Sequence, residues 1–297
     1  MKRLFVTGAS GMLGSYVASQ AIENGWSVTA TYSRHPVRIP GCSLIPLDIA
    51  DAANVSKAVT SASPDVIIHT AAQAKPDVCE QNKRLAFDSN VLGTYNITRA
   101  AEAVNARVVH ISTDSVFSGE KNPYKEDDPV SPISYYGLTK AAGEAAVRSS
   151  TAKWAIVRTS IIFGPRKFEH VESFSDKVID ALRENKPIKA YVDQYRCPIP
   201  AWNLAEACLE IAERALEGIF HVECPDVTSR FEWARKIAQV FGFDESLIEP
   251  MYMDSSPGIA PRSKSLVLDV SRTIETLHTR LLTFEESMLE LHKRSSI

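Results

Sequence analysis

The sequence predicts an α/β protein: a doubly wound parallel sheet with a smaller, α-rich lobe. Three observations carry this. Short β-branched runs alternate with longer helical patterns through the first half of the chain. A glycine-rich turn joins the first run to the first helix. Prolines at 165, 187, 198 and 200 then break the alternation, and helical patterns dominate the remainder of the chain.

The first strand is read at residues 4–6, with a helix after it reaching about Asn24. Further strands are expected at 27–31, 43–47, 65–69, 107–111 and 154–158. Helical patterns occupy 55–61, 85–104 and 136–148. Strands separated by helices imply crossover connections, and so a parallel sheet covered on both faces. Later helices are expected at 203–216, with Gly218 just past the end, at 230–241 and at 284–292. Residues 1–163, with about 191–217, are assigned to a dinucleotide-binding domain, and 164–190 with 218–297 to a substrate-binding lobe.

Composition limits the function. Net charge is −3 over 297 residues, which gives no electrostatic case for nucleic acid. No apolar run approaches the ~18 residues of a membrane span, and the run after Lys2-Arg3 is too short for a signal-peptide core. Five cysteines, at 42, 79, 197, 208 and 224, form no CxxC pair, so neither a zinc site nor a disulfide framework is expected. A reduced, cytoplasmic location is the resulting expectation. Collagen-like, coiled-coil, disordered and secreted mini-protein classes are excluded.

Gly8, Gly11 and Gly14 stand in the segment Thr7-Gly8-Ala9-Ser10-Gly11-Met12-Leu13-Gly14. Such glycines permit a tight turn and let backbone N–H groups approach a pyrophosphate, while the helix N-terminus adds donors and partial positive charge. The position of this loop, between a strand and an amphipathic helix, makes it a dinucleotide site of Rossmann type. After the second strand comes Ser33-Arg34, with no carboxylate to repel a 2′-phosphate. NADPH is therefore expected, with NADH possible. Read alone, Arg34 is equally a solvated loop cation. Asp48 is placed to meet the adenine, or to cap the next helix.

Tyr136 and Lys140 form Y-x-x-x-K, and none of the other eight tyrosines has lysine four residues on. On a helix the pair shares a face, and a nearby ammonium is expected to lower the phenol's pKa. A phenol so placed is a proton donor or acceptor, and the lysine could hold cofactor ribose. Ser112 and Thr113 end the fifth strand, where ligands bind in open α/β sheets; a hydroxyl there can bind a substrate oxygen as charge develops on it. The cluster Ser112-Thr113-Asp114 also reads as a turn or cap. His69 and His110, at the ends of apolar strands, read as packed histidines rather than metal ligands. Cys79 and Cys197 read as inert buried thiols.

Taken in order, these pieces resemble the extended short-chain dehydrogenase/reductase family. The resemblance adds His69-Thr70-Ala71-Ala72, Asn90-Val91-x-Gly93-Thr94, and Arg158-Thr159-Ser160 with Gly164-Pro165. It implies Thr113, Tyr136 and Lys140 as the catalytic triad. It implies cofactor contacts from Gly8, Ser10, Gly11, Met12, Leu13, Gly14, Ser33, Arg34, Asp48, Ile49, Ala71, Ala72, Gln73, Asn90, Tyr136, Lys140 and Thr159. Substrate contacts are expected from Ser112, Thr113, Gln194 and Arg196, and no metal. Within the family the chain is most similar to the dTDP-4-dehydrorhamnose reductases, through Ser112-Thr113-Asp114-x-Val116-Phe117-x-Gly119, Tyr136-Gly137-x-Thr139-Lys140-x-x-Gly143-Glu144 and Asp193-Gln194-Tyr195-Arg196-x-Pro198.

That likeness implies hydride transfer to the C4 ketone of a sugar, with a nucleotide-linked sugar as the expectation. It implies a protein without nucleic-acid or membrane partners, with a homodimer as a possible assembly. Ser115, Arg196, Cys197 and Ile199 depart from the pattern in the substrate region, which leaves the sugar open. Arg196 is read either as a phosphate partner or as an ion pair between lobes. A nucleotide-sugar epimerase or dehydratase is a second reading, although Ser115 stands where the dehydratases resemble Thr-Asp-Glu. A non-catalytic regulatory subunit like that of methionine adenosyltransferase is a third.

Overall fold

The computed structural model describes residues 2–255 and 259–295. Seven parallel strands form the main sheet: β1 (Arg3–Thr7), β2 (Ser27–Tyr32), β3 (Ser43–Pro46), β4 (Val66–His69), β5 (Arg107–Thr113), β6 (Trp154–Thr159) and β11 (Gly218–His221). Their order is β11-β6-β5-β4-β1-β2-β3. The chain winds outward from β1 in one direction and, from β4, in the other, so a topological switch lies between β1 and β4. β4 and β5 are buried along their whole length, as a parallel sheet covered on both faces requires.

Helix α1 (Met12–Glu23) packs with α8 (Ala201–Glu213) on one face. That side holds the main core, including Val6, Ile68, Val109 and Trp202. The other face carries α2 (Ala52–Ala62), α5 (Gly93–Ala103) and α6 (Tyr135–Arg148); Phe5, Ile67 and Val108 point into it and meet Val55, Val59 and Ile97. Alternate residues of one strand thus serve two cores.

The expected helix at 85–104 is divided. Short α3 (Pro76–Gln81) and α4 (Lys83–Phe87) lead into a π-helical turn, Asp88–Leu92, before α5 begins. Helical periodicity alone cannot signal the extra residue of a π turn, a device often found at functional sites.

Smaller strand pairs lie beyond the sheet's C-terminal edge. β7 (Ile162–Phe163) pairs with β10 (Ile199–Pro200), and β8 (Ile188–Tyr191) with β13 (Ile248–Met251). β9 (Tyr195–Arg196) runs antiparallel to β12 (Thr228–Ser229). Around them lie α7 (Phe174–Arg183), α9 (Arg230–Phe241), α10 (Ser271–Thr276) and α11 (Phe284–Ser295). Ser173 with Asp176 and Ser229 with Glu232 form capping boxes that start α7 and α9, and Gly242, at φ 72°, ends α9. One expected boundary is corrected. Residues 218–221, assigned from sequence to the smaller lobe, are the edge strand β11, paired along β6. The strand opens on Gly218, the glycine that also reads as the stop signal of the preceding helix.

Candidate functional site

Parallel register brings the C-terminal ends of β1, β4, β5 and β6 to one edge of the sheet. Thr7 lies beside His69, His69 beside His110, and Thr113 beside Thr159. The loops leaving these ends form the candidate active site, where open α/β sheets bind ligands.

The glycine loop is held by close backbone approach. Gly8 adopts φ 73°, and a Cβ there would stand 2.8 Å from the Ala71 Cα. A Cβ on Gly14 would stand 2.4 Å from the Gly8 carbonyl oxygen. Thr70 Oγ1 donates to the Thr7 carbonyl at 2.6 Å, and the Ala71 amide donates to Thr7 Oγ1 at 3.2 Å, which ties the β4 loop to the β1 loop. Gly11 precedes α1 without a side-chain cap, and the first turn of α1 has no acidic residue. The helix therefore presents its amide donors and its dipole to a ligand, and the arrangement fits a pyrophosphate.

Around this cradle, Ser33 and Arg34 are exposed after β2. Asp51, not Asp48, caps α2, accepting the Asn54 amide at 3.0 Å. The Asp48 carboxylate accepts the nearby Ala50 amide, also at 3.0 Å, and remains exposed. The capping alternative for Asp48 is thereby set aside. The Ile49 side chain packs against the face of Gly93, and its carbonyl accepts Asn96 Nδ2 at 3.0 Å. Asn90, in the π turn, accepts the Gln73 amide at 2.8 Å, donates to the Gln73 carbonyl at 3.1 Å and donates to Thr139 Oγ1 at 3.0 Å. It fastens the β4 loop to α6, one residue before Lys140. Thr159 Oγ1 is buried without a partner among the described residues.

Ser134 caps α6, accepting the Gly137 amide at 3.1 Å, and so fixes where Tyr136 and Lys140 fall. Thr113 is close enough to act on the half-buried Tyr136 phenol as a hydrogen-bonding group. Burial raises the phenol above the usual tyrosine range; Thr113 opposes this, and the Asp114 charge adds to it. The expectation that Lys140 lowers the phenol is corrected. Lys140 Nζ donates instead to the Ile111 carbonyl at 2.6 Å and lies 3.4 Å from His110 Nε2. Burial brings the ammonium down to about 8, with Glu144 opposing. Helical spacing put the two residues on one face, but the β5 backbone took the lysine's hydrogen bond.

Three expected substrate contacts are committed elsewhere. Ser112 Oγ donates to Glu144 Oε1 at 2.5 Å. Glu144 is also gripped by Arg158, Nε to Oε1 at 3.0 Å and Nη2 to Oε2 at 2.8 Å. Both are almost fully buried, and the guanidinium lies over the Phe117 ring at 5.0 Å. Ser112 thus belongs to a buried network beneath the site. Arg196, 8% exposed, faces the Asp114 carboxylate at 3.7 Å, which is the ion-pair alternative. Gln194 Oε1 accepts Arg230 Nε at 3.1 Å. His69 is spent on Thr7 at 2.7 Å and Thr94 at 3.2 Å, as a packed histidine would be. Among the described residues no His, Cys, Asp or Glu group could hold a metal.

Sequence reasoning named Glu144 and Arg158 only as members of motifs, without their partnership, and missed the His110–Lys140 contact. A signal existed for Glu144, which stands four residues after Lys140 on the same helix face. The Arg158 partnership depends on β5–β6 register, which no local pattern reports.

The whole chain, residues 1–297, matches the family described as RmlD substrate binding domain. A dTDP-4-dehydrorhamnose reductase of Mycolicibacterium smegmatis is 32% identical over 290 residues, covering 97% of this chain and 84% of that protein. Methionine adenosyltransferase 2 subunit beta of Xenopus tropicalis is 32% identical over 282 residues, covering 91% and 81%. The crystal structure of a Bacillus anthracis dTDP-4-dehydrorhamnose reductase in complex with NADP superposes with a TM-score of 0.87 at 27% identity, over 99% of both chains. Glycine cradle, strand-end hydroxyl and Tyr-Lys helix therefore come together in a chain that belongs, over its full length, to the RmlD substrate binding domain family of the extended short-chain dehydrogenase/reductases.

Proposed function

We propose that this chain is an NADPH-dependent reductase of the C4 ketone of a nucleotide-linked deoxy sugar such as dTDP-4-dehydro-L-rhamnose. The observation that carries this reading is the half-buried Tyr136 phenol, kept protonated beside Thr113 at the sheet edge. Reduction of a ketone needs an acid for the nascent alkoxide, and a phenol with a raised pKa holds its proton across the neutral range. Bound NADPH would supply the hydride to the carbonyl carbon.

The chain's own residues do the rest. The first turn of α1 and the glycine loop hold the pyrophosphate, and Ser33 and Arg34 accommodate the 2′-phosphate. Ala71, Ala72, Gln73 and Asn90 line the dinucleotide on the other side of the switch point. Lys140, anchored by the Ile111 carbonyl, turns its remaining hydrogens to the nicotinamide ribose. Thr113 and Tyr136 bind the ketone oxygen, and the Tyr136 proton passes to it as the C–H bond forms. Buried donors of this kind strengthen as charge develops, because no solvent has to reorganise.

The test is NADPH oxidation with dTDP-4-dehydro-L-rhamnose, against a control without sugar. Tyr136→Phe should lower kcat by about 10²–10⁴ while leaving NADPH affinity within about threefold. Undiminished oxidation in the variant would remove Tyr136 from the proton transfer. The likeness to methionine adenosyltransferase 2 subunit beta supports a second reading, a dinucleotide-binding regulatory subunit. Tight NADPH binding with no oxidation of any keto-sugar tried would favour it.

A further inference from the structure

A histidine from each lobe meets beside the glycine loop. His35 follows Arg34 in the loop after β2, and His170 lies in the smaller-lobe segment between β7 and α7. Their rings are stacked, with centroids 4.2 Å apart and planes 17° from parallel. His170 Nε2 also donates to the Ser10 carbonyl at 2.8 Å. A carbonyl only accepts, so Nε2 carries the hydrogen and the ring is fixed from the loop side. Phe168 lies parallel to the same ring, with centroids 5.8 Å apart.

The segment that carries His170 is held along α1. Tyr16 Oη donates to the Pro165 carbonyl at 3.1 Å. Lys167 Nζ donates to Ser19 Oγ at 2.9 Å and lies over the Tyr16 ring at 4.3 Å. Arg166 pairs with Asp176 and Asp180 of α7. The β2 loop is tied to the same place, because the Ala9 amide donates to the Thr31 carbonyl at 2.8 Å. A dinucleotide with its pyrophosphate at the start of α1 and its 2′-phosphate at Ser33-Arg34 runs between the glycine loop and the β2 loop. Those are the two segments that the histidine pair joins. The local charge suits a phosphate. Arg34 and Arg38 are the ionised side chains of residues 33–38, the first turn of α1 has no acid, and Glu172 is paired with Lys177. Glu169, exposed beside His170, is the opposing charge.

We propose that His35 is a ligand of the adenosine 2′-phosphate, and that His170, reaching from the smaller lobe, is the positioning residue that holds the His35 ring ready. This rests on the reading of Ser33 and Arg34 as the seat of that phosphate. A neutral imidazole has one N–H to donate, and a hydrogen bond to an ionised phosphate is among the stronger ones. Stacking on His170 restricts the His35 ring before the cofactor arrives, so less freedom is lost on binding. Selection of NADPH over NADH then depends on both lobes.

The experiment measures binding of NADPH, NADH, adenosine 2′,5′-bisphosphate and AMP by calorimetry, to the full chain and to His35→Ala, His170→Ala and His170→Phe. Both histidines are exposed, so the core is left intact. His35→Ala should weaken NADPH and the bisphosphate about tenfold, the scale of one hydrogen bond to a charged group. NADH and AMP should stay within about twofold. His170→Ala should weaken the same two ligands about threefold, the scale of an aromatic pair. His170→Phe keeps a flat ring and should recover part of this. Equal loss of all four ligands in His35→Ala would overturn the proposal, because a contact that only shapes the cradle makes no distinction at the 2′ position. Unchanged bisphosphate affinity in that variant would overturn it too. A His170→Phe variant no better than His170→Ala would remove His170 as the positioning residue. Wild type that binds the bisphosphate no more tightly than AMP would sink the Ser33-Arg34 reading and this proposal together. A preference that Arg34→Ala abolishes and His35→Ala preserves would sink this proposal alone.

Discussion

At the scale of single residues, burial sets the chemistry of the Tyr136–Lys140 pair. The phenol is pushed up and the ammonium down to about 8, so both charged forms are disfavoured away from water. For a reductive proton donor, the raised phenol removes any loss of acid at neutral pH. The lysine then governs the basic side. Lys140 is charged below about 8 and neutral above it, so kcat/KM for reduction should fall as pH rises through about 8. A profile flat to pH 10 would show that the Lys140 charge is not needed. The Glu144–Arg158 pair is a second residue-scale feature. Glu144→Gln leaves a nearly fully buried guanidinium without its anion, and should cost about 3–5 kcal/mol of stability. A denaturant midpoint shifted by the equivalent of less than about 1 kcal/mol would mean that solvent reaches Arg158.

At the scale of elements, the site is built where turns bring backbones together. Gly14, in the first turn of α1, faces the Gly8 carbonyl so closely that a methyl group would meet it at 2.4 Å and Thr70 Oγ1 at 2.7 Å. Backbone cannot yield as a flexible side chain does. Gly14→Ala should displace α1 from the loop and weaken NADPH by on the order of 100-fold, measured by fluorescence titration. Unchanged affinity would show that α1 is not the pyrophosphate cradle. The π turn Asp88–Leu92 works the same way at the other side of the switch point. It sends the Asn90 side chain back to the Gln73 backbone and across to α6, joining two elements that each carry expected cofactor contacts.

At the scale of the whole molecule, His69, His110 and His221 are buried and neutral. His69 and His221 are pushed down to about 3, and His110 well below its usual range, in each case chiefly by burial. The unfolded chain takes up these protons near 6.5, whereas the folded chain does not. Between about 6.5 and about 3 the unfolded state therefore binds more protons, and stability falls as pH falls, by about 1.4 kcal/mol per pH unit for each fully differential proton. The urea midpoint should drop measurably between pH 7 and pH 5, and an unchanged midpoint would contradict the buried neutral histidines. Lys140 acts in a different window. Its folded value lies below that of the unfolded chain, so its contribution rises with pH between about 8 and the ordinary lysine range.

The sequence by itself determined the α/β class, six of the seven strands of the main sheet, the glycine loop and the Tyr136–Lys140 spacing. These features are local: periodicity, β-branching, turn glycines and an i, i+4 pair are all written within a few residues of one another. Tertiary structure decided what the polar side chains do. Ser112 went to Glu144, Lys140 to the Ile111 carbonyl and Arg196 to Asp114. Each choice depends on strand register or on a partner at least 29 residues away, and a buried polar group takes whichever partner the packing leaves within reach. The same holds for β11, a four-residue strand that becomes part of the sheet only because β6 offers it an open edge.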